Sequence, residues 1–363
     1  MRLFFVMALL CTMALLFPPK VYAADKMDAR ALVEQMPTEG VDRVLEENDV
    51  SFGQWMEELA TSSFSLGQAA KEVMVQGGVG GQITGLKEVI LLALFGGLLW
   101  QMADENTLKT GGFLCTMAMT VLVMTVFYSA VHMVMDTINR LSELLTQMLP
   151  VYVTLMTMSG QAVATATMAP FVMGGAFLVT KAMIYVLLPL ISFGASVTMI
   201  NHLSPRKVFT SLSSLLKEIA GWGLKGLALF FMGILSFQKL TTGGATTLAG
   251  KSAKIAVEAV PVVGDILSSS VEAAKTLTDL LRGWTAAAAI LAVGVVVVMP
   301  MLQVLFYCLF FKGAAALLEP VAEPKLIGAL NGAGEFTALL LGALFVCCIC
   351  FLFGSMLLLT VFS

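Results

Sequence analysis

The sequence predicts an all-α, polytopic transmembrane protein with about six to eight spans of roughly 20 apolar residues each, plus an amphipathic extracytoplasmic helical hairpin. Three observations carry that prediction. Hydrophobic residues make up 58% of the 363-residue chain and charged residues only 12%, against about 25% charged in a soluble domain. The apolar residues gather into runs long enough to cross a hydrocarbon core. The N-terminus reads as an export signal.

That signal comprises Arg2, the apolar stretch Leu3 to Phe17, and Val21-Tyr22-Ala23. Small residues at the -3 and -1 positions predict cleavage after Ala23, because the apolar core is shorter than a span needs. The expected organisation is a signal peptide over 1–23 and a polar extracytoplasmic helical region over 24–85. Transmembrane helices follow over 86–237, then the extracytoplasmic hairpin over 238–283 and further transmembrane helices over 284–363.

In the polar region, Phe52, Trp55, Met56 and Leu59 fall on one helical face behind Ser51, a suitable N-cap. Such a stripe fits the membrane surface, another helix of the chain or a partner. Gly77 to Gly81 marks a hinge. The spans expected next are Leu86 to Met102, Gly112 to Met135, Ala169 to Ile200, Ile219 to Phe237, Trp284 to Phe311 and Glu335 to Phe362. A seventh run, Val151 to Met168, is diluted by Thr, Ser, Gln and Gly. Ala169 to Ile200 has the length of one tilted helix or two short ones.

Basic residues in short loops favour the cytoplasm. Arg206, Lys207 and Lys217 place the loop at His202 to Glu218 inside, so one or three crossings separate it from Arg140. The Lys239 to Arg282 segment then lies outside, although it too carries several Lys residues.

The same composition excludes several classes. A net charge of -3 with scattered Lys and Arg offers no basic face for nucleic acid. Five of the six cysteines lie in apolar runs and Cys11 in the signal, which suits packed thiols rather than disulfides or a metal site. Gly221-Trp222-Gly223-Leu224-Lys225-Gly226 imitates a dinucleotide fingerprint without the strand that must precede it, so its glycines are expected at close helix contacts. Gly250-Lys251-Ser252 misses the phosphate-loop spacing from Gly243 and Gly244. With two histidines and no paired nucleophile and base, catalytic residues, cofactors and metals are all expected to be absent.

Lys181 is the ionisable residue deepest in an apolar run. It fits a polar pore lining, an ion pair with a partner helix, or a turn between two short spans that lets it reach an interface. In the outside segment, Lys251 to Val260 reads as helix, Pro261, Val262, Val263 and Gly264 as a break, and Asp265 to Leu281 as helix again. Gly328 with Gly332, and Ala338 with Gly342, are small pairs suited to close helix contact.

This layout, and most specifically the Lys254 to Asp265 stretch centred on Pro261 and followed by Leu267 to Ser270, resembles the stage III sporulation protein AE family of endospore-forming bacteria. The resemblance covers essentially the full mature chain. It implies a protein of the mother-cell membrane around the forespore. Its implied partners are other stage III sporulation A-operon membrane proteins and a forespore membrane protein, in a transenvelope channel or feeding conduit. It brings no catalytic residues. The competing reading is a stand-alone secondary transporter, which calls for inverted repeats and mid-span carboxylates. The sequence shows no clear repeat and places no Asp or Glu in mid-span.

Overall fold

Apolar residues three and four apart over long distances dictate helices buried along one stripe. The computed structural model describes residues 36–46, 51–60, 105–158, 162–203, 209–242, 264–320 and 324–360. The expected signal peptide, the expected hinge at Gly77 to Gly81, the expected span at Leu86 to Met102 and most of the 238–263 segment lie outside them. The described residues form α1 (Glu39–Leu45), α2 (Phe52–Ala60), α3 (Glu105–Met158), α4 (Ala162–Ala182), a π-helical turn (Met183–Leu187), α5 (Leu188–Leu203), α6 (Thr210–Thr242), α7 (Gly264–Leu318) and α8 (Pro324–Thr360), with no strand among them.

The two amphipathic N-terminal helices belong to the protein's own core. Phe52, Trp55 and Met56 are buried in the same cluster as the long helices, α2 packing on α7 and α1 on α3. The stripe thus serves an intramolecular contact, the second of the three roles open to it. Asp42 of α1 caps α2, its Oδ1 accepting from the Phe52 and Gly53 amides and from the Ser51 hydroxyl at 3.0 Å. A carboxylate there also meets the positive end of the helix dipole. Gly40 seats α1 on α3, since a β-carbon would collide with Gln147.

α3 runs well past the expected boundary at Met135. Its buried stripe continues through Ile138, Leu141, Leu145, Met148 and Leu155, so Asp136 and Arg140 fall on a continuing helix of about 80 Å. Pro150 is accommodated within it. The diluted run Val151 to Met168 is not a span: it divides between the end of α3 and the start of α4. α4, the π turn and α5 form one uninterrupted helical path, so Ala169 to Ile200 is part of one long helix rather than two short ones. Pro189 explains the π turn, because it has no N–H for the Tyr185 carbonyl and its ring crowds that carbonyl, so the preceding turn widens.

Among the described residues, four helices are long and apolar enough to cross a membrane: Thr116–Leu155, Met173–His202, Trp284–Leu318 and Pro324–Ser355. The first half of α6 carries Lys217, Glu218 and Lys225. The second arm of the expected hairpin is the first part of α7, which continues without a break into the Trp284 span.

Close contacts fix the helix directions. On α8, Gly328 meets His202 and Gly332 meets Thr198, while Gly194 of α5 lets the Phe336 ring approach to 2.6 Å of where a β-carbon would stand. α5 and α8 are therefore antiparallel and packed through glycines, as expected for Gly328 and Gly332. α6 returns along α5. Asn201 donates to Thr210 Oγ1 at 3.2 Å and accepts from the Phe209 amide at 3.0 Å, the Thr198 and Ser213 hydroxyls pair, and Gly223 meets Leu187. Gly221 and Gly226 face open space, so among the described residues Gly223 alone of the expected close-contact set on α6 meets a neighbouring helix.

Candidate functional site

Lys181 lies at the end of α4, one residue before the π turn, on an unbroken helix. The turn between two short spans is therefore not formed. The ammonium sits 5.2 Å from the Phe177 ring centroid and 5.2 Å from that of Tyr185. Residues four apart on either side place the two rings there, and their faces partly replace the water that a Lys loses in an apolar setting. Both aromatics are exposed, Tyr185 at 68%, so the sandwich is on the outer face of the bundle.

Of the other residues singled out in the sequence, Gly264 and Asp265 are the first two of α7. Pro261, Val262 and Val263 lie outside the described residues. Lys181 and the described part of this segment, Gly264 and Asp265, lie on separate helices, α4 and α7.

A groove of about 650 Å³ opens between α3 and α5, lined by Thr120, Thr125, Tyr128, Ser129 and His132 together with apolar residues of both helices. The Tyr128 hydroxyl and Ser196 Oγ lie 3.1 Å apart across it, tying the helices while leaving the imidazole side open. Sequence reading missed this groove because it treated Gly112 to Met135 as an apolar run. Polar side chains at three- or four-residue spacing, Thr125, Ser129 and His132, were the available signal. Among the described residues, no group of three or more His, Cys, Asp or Glu side chains is placed to hold a metal ion.

A mid-helix carboxylate is present. Because α8 begins at Pro324, Glu335 lies well inside it rather than at the start of the last span, and it accepts from Lys217 Nζ of α6 at 2.8 Å. The glycines at 328, 332 and 334 dilute the hydropathy that would have marked this turn of helix as membrane-length. Both side chains are about half exposed, so removing Lys217 alone leaves Glu335 charged near lipid. Lys217→Met is expected to cost about 1–3 kcal/mol, and Lys217→Met with Glu335→Leu less than that. Thermal unfolding of the four members of the cycle in detergent checks it, and equal losses in the single and double variants would dismiss the pair.

The family model for stage III sporulation protein AE matches residues 40–361. Stage III sporulation protein AE of Bacillus subtilis (strain 168) is 22% identical over 254 residues, covering 68% of this chain and 63% of that relative. The chain therefore spans less than two thirds of that relative's length in the match. No solved structure matches.

Proposed function

Since the chain belongs to the stage III sporulation protein AE family, we propose that it is a non-enzymatic integral membrane subunit of a transenvelope channel complex linking mother cell and forespore, needed for forespore development. The family match across nearly the whole helical body carries this reading. Four membrane-length helices support it, as do outward-facing side chains, such as the Lys181 sandwich, that a protein-protein assembly would cover. In this reading the chain sits in the mother-cell membrane around the forespore, among other A-operon membrane proteins and facing a forespore membrane partner. The 24–85 and 238–283 segments lie on the side facing that partner, and Pro261 to Asp265 with Lys181 are interaction positions.

A null strain of the sporulating host tests the function. Loss of heat-resistant spores, restored by the full chain, is expected; normal sporulation without the chain defeats the reading. The orientation is tested separately with single cysteines at Thr242 and Asp265. Labelling by an impermeant thiol reagent is expected from the extracytoplasmic face, and labelling only from the cytoplasm reverses the assigned direction.

A further inference from the structure

The outward face of α3 is polar where a membrane helix should be apolar. Ser129, His132, Asp136, Asn139, Glu143 and Thr146 are all exposed and succeed one another at three- or four-residue spacing. They lie opposite the buried stripe of Val134, Ile138, Leu141, Leu145 and Met148. The row extends about 26 Å along the axis, close to the roughly 30 Å of a hydrocarbon core.

Register sets its depth. Tyr128 is bonded to Ser196, and the neighbouring Gly194 meets Phe336, so Tyr128 is level with the Phe336 region of α8. Further along, Tyr152 lies beside Ser355. Between these two levels α8 runs from Phe336 to Ser355 without a single charged residue, and Trp284 to Phe311 of its antiparallel neighbour α7 is equally free of charge. Any bilayer that solvates those two stretches must also contain His132 through Glu143. Carboxylates there cost at least about 2.5 kcal/mol each against lipid. The row must therefore face water or another polar surface.

One feature favours water: the outward charges, Asp136 and Glu143, share one sign, with Arg140 half-buried at their flank. A partner helix would have to present matching bases, whereas water solvates such a row directly. We infer that the outward row of α3 lines a water-filled, anionic passage within the membrane, its remaining wall supplied by other chains. This rests on the assembly reading above, because one helix face cannot enclose a passage.

Single cysteines in the full chain test it, in open membrane sheets from sporulating cells, with a small cationic, membrane-impermeant methanethiosulfonate. Ser129→Cys, Asn139→Cys and Glu143→Cys are compared with Phe193→Cys and Leu229→Cys, which sit on exposed apolar faces, and with the unsubstituted chain as baseline. Only a thiolate reacts, and thiolates form in water, so labelling at the three row positions is expected to be about tenfold faster than at the two apolar ones. An anionic reagent of the same size is expected to react several-fold more slowly at Asn139→Cys. Labelling of the row at the apolar rate overturns the passage, as does faster reaction with the anionic reagent. Spore counts of the same strains report on the sporulation role independently, so either idea can fail without the other.

Discussion

Replacing Trp284 with alanine is expected to be the most damaging single change in the described structure. Its indole is completely buried at the start of the apolar part of α7, within the cluster that joins the long helices to Phe52, Trp55 and Met56 of α2. Losing so large a side chain from a core costs about 3–5 kcal/mol. The Nε1 donor has no hydrogen-bond partner among the described residues, which separates packing from polarity. Trp284→Phe keeps most of the volume and removes a donor whose unsatisfied burial costs about 1–3 kcal/mol. It should therefore leave stability nearly unchanged. Thermal unfolding of the full chain in detergent decides this: a large drop for Trp284→Ala with little change for Trp284→Phe is expected, and comparable losses would show that the indole N–H is bonded after all.

The second large effect is expected at Gly194, where three helices converge. A β-carbon there would stand 2.6 Å from Phe336 Cε1, 2.9 Å from Phe336 Cζ and 3.3 Å from Leu216 Cβ. Phe336 is itself fully buried, and Leu216 nearly so, so neither can swing away. Gly194→Leu must push α5 off α8 and α6, at the upper end of the roughly 1–3 kcal/mol that overpacking costs. α6 and α8 both pack on α5, so displacing α5 is expected to disturb both contacts. Gly226→Leu, whose β-carbon meets nothing within 4 Å, is the matched control. Equal loss from both would mean that helix propensity rather than packing sets the cost.

Hydropathy made the helical class and the approximate places of the four membrane-length helices among the described residues legible, because lipid-length apolar runs have few other uses. The family was legible in the Lys254 to Asp265 stretch. Helix boundaries were not. Asp136 and Arg140 read as the end of a span because a charge is locally unfavourable in lipid, yet the buried spacing from Val134 to Leu155 carries the helix through them. Testing the seven-residue pattern across the charges, instead of stopping at them, would have exposed both the long α3 and its polar outer row. Glu335 was misplaced for the opposite reason: glycines that pack against α5 lower local hydropathy while remaining helical. Lys181 stands out in the sequence as a charge in an apolar run, but its two aromatic neighbours depend on an unbroken helix that the length of the run alone left undecided.

Compartment-restricted expression tests the central claim most directly. In the null strain, the chain is expressed either from a promoter active only in the mother cell or from one active only in the forespore, and heat-resistant spores are counted. The account predicts restoration by mother-cell expression alone, with the chain recovered in the membrane fraction. Restoration only from the forespore, or by chain recovered outside membranes, would contradict it.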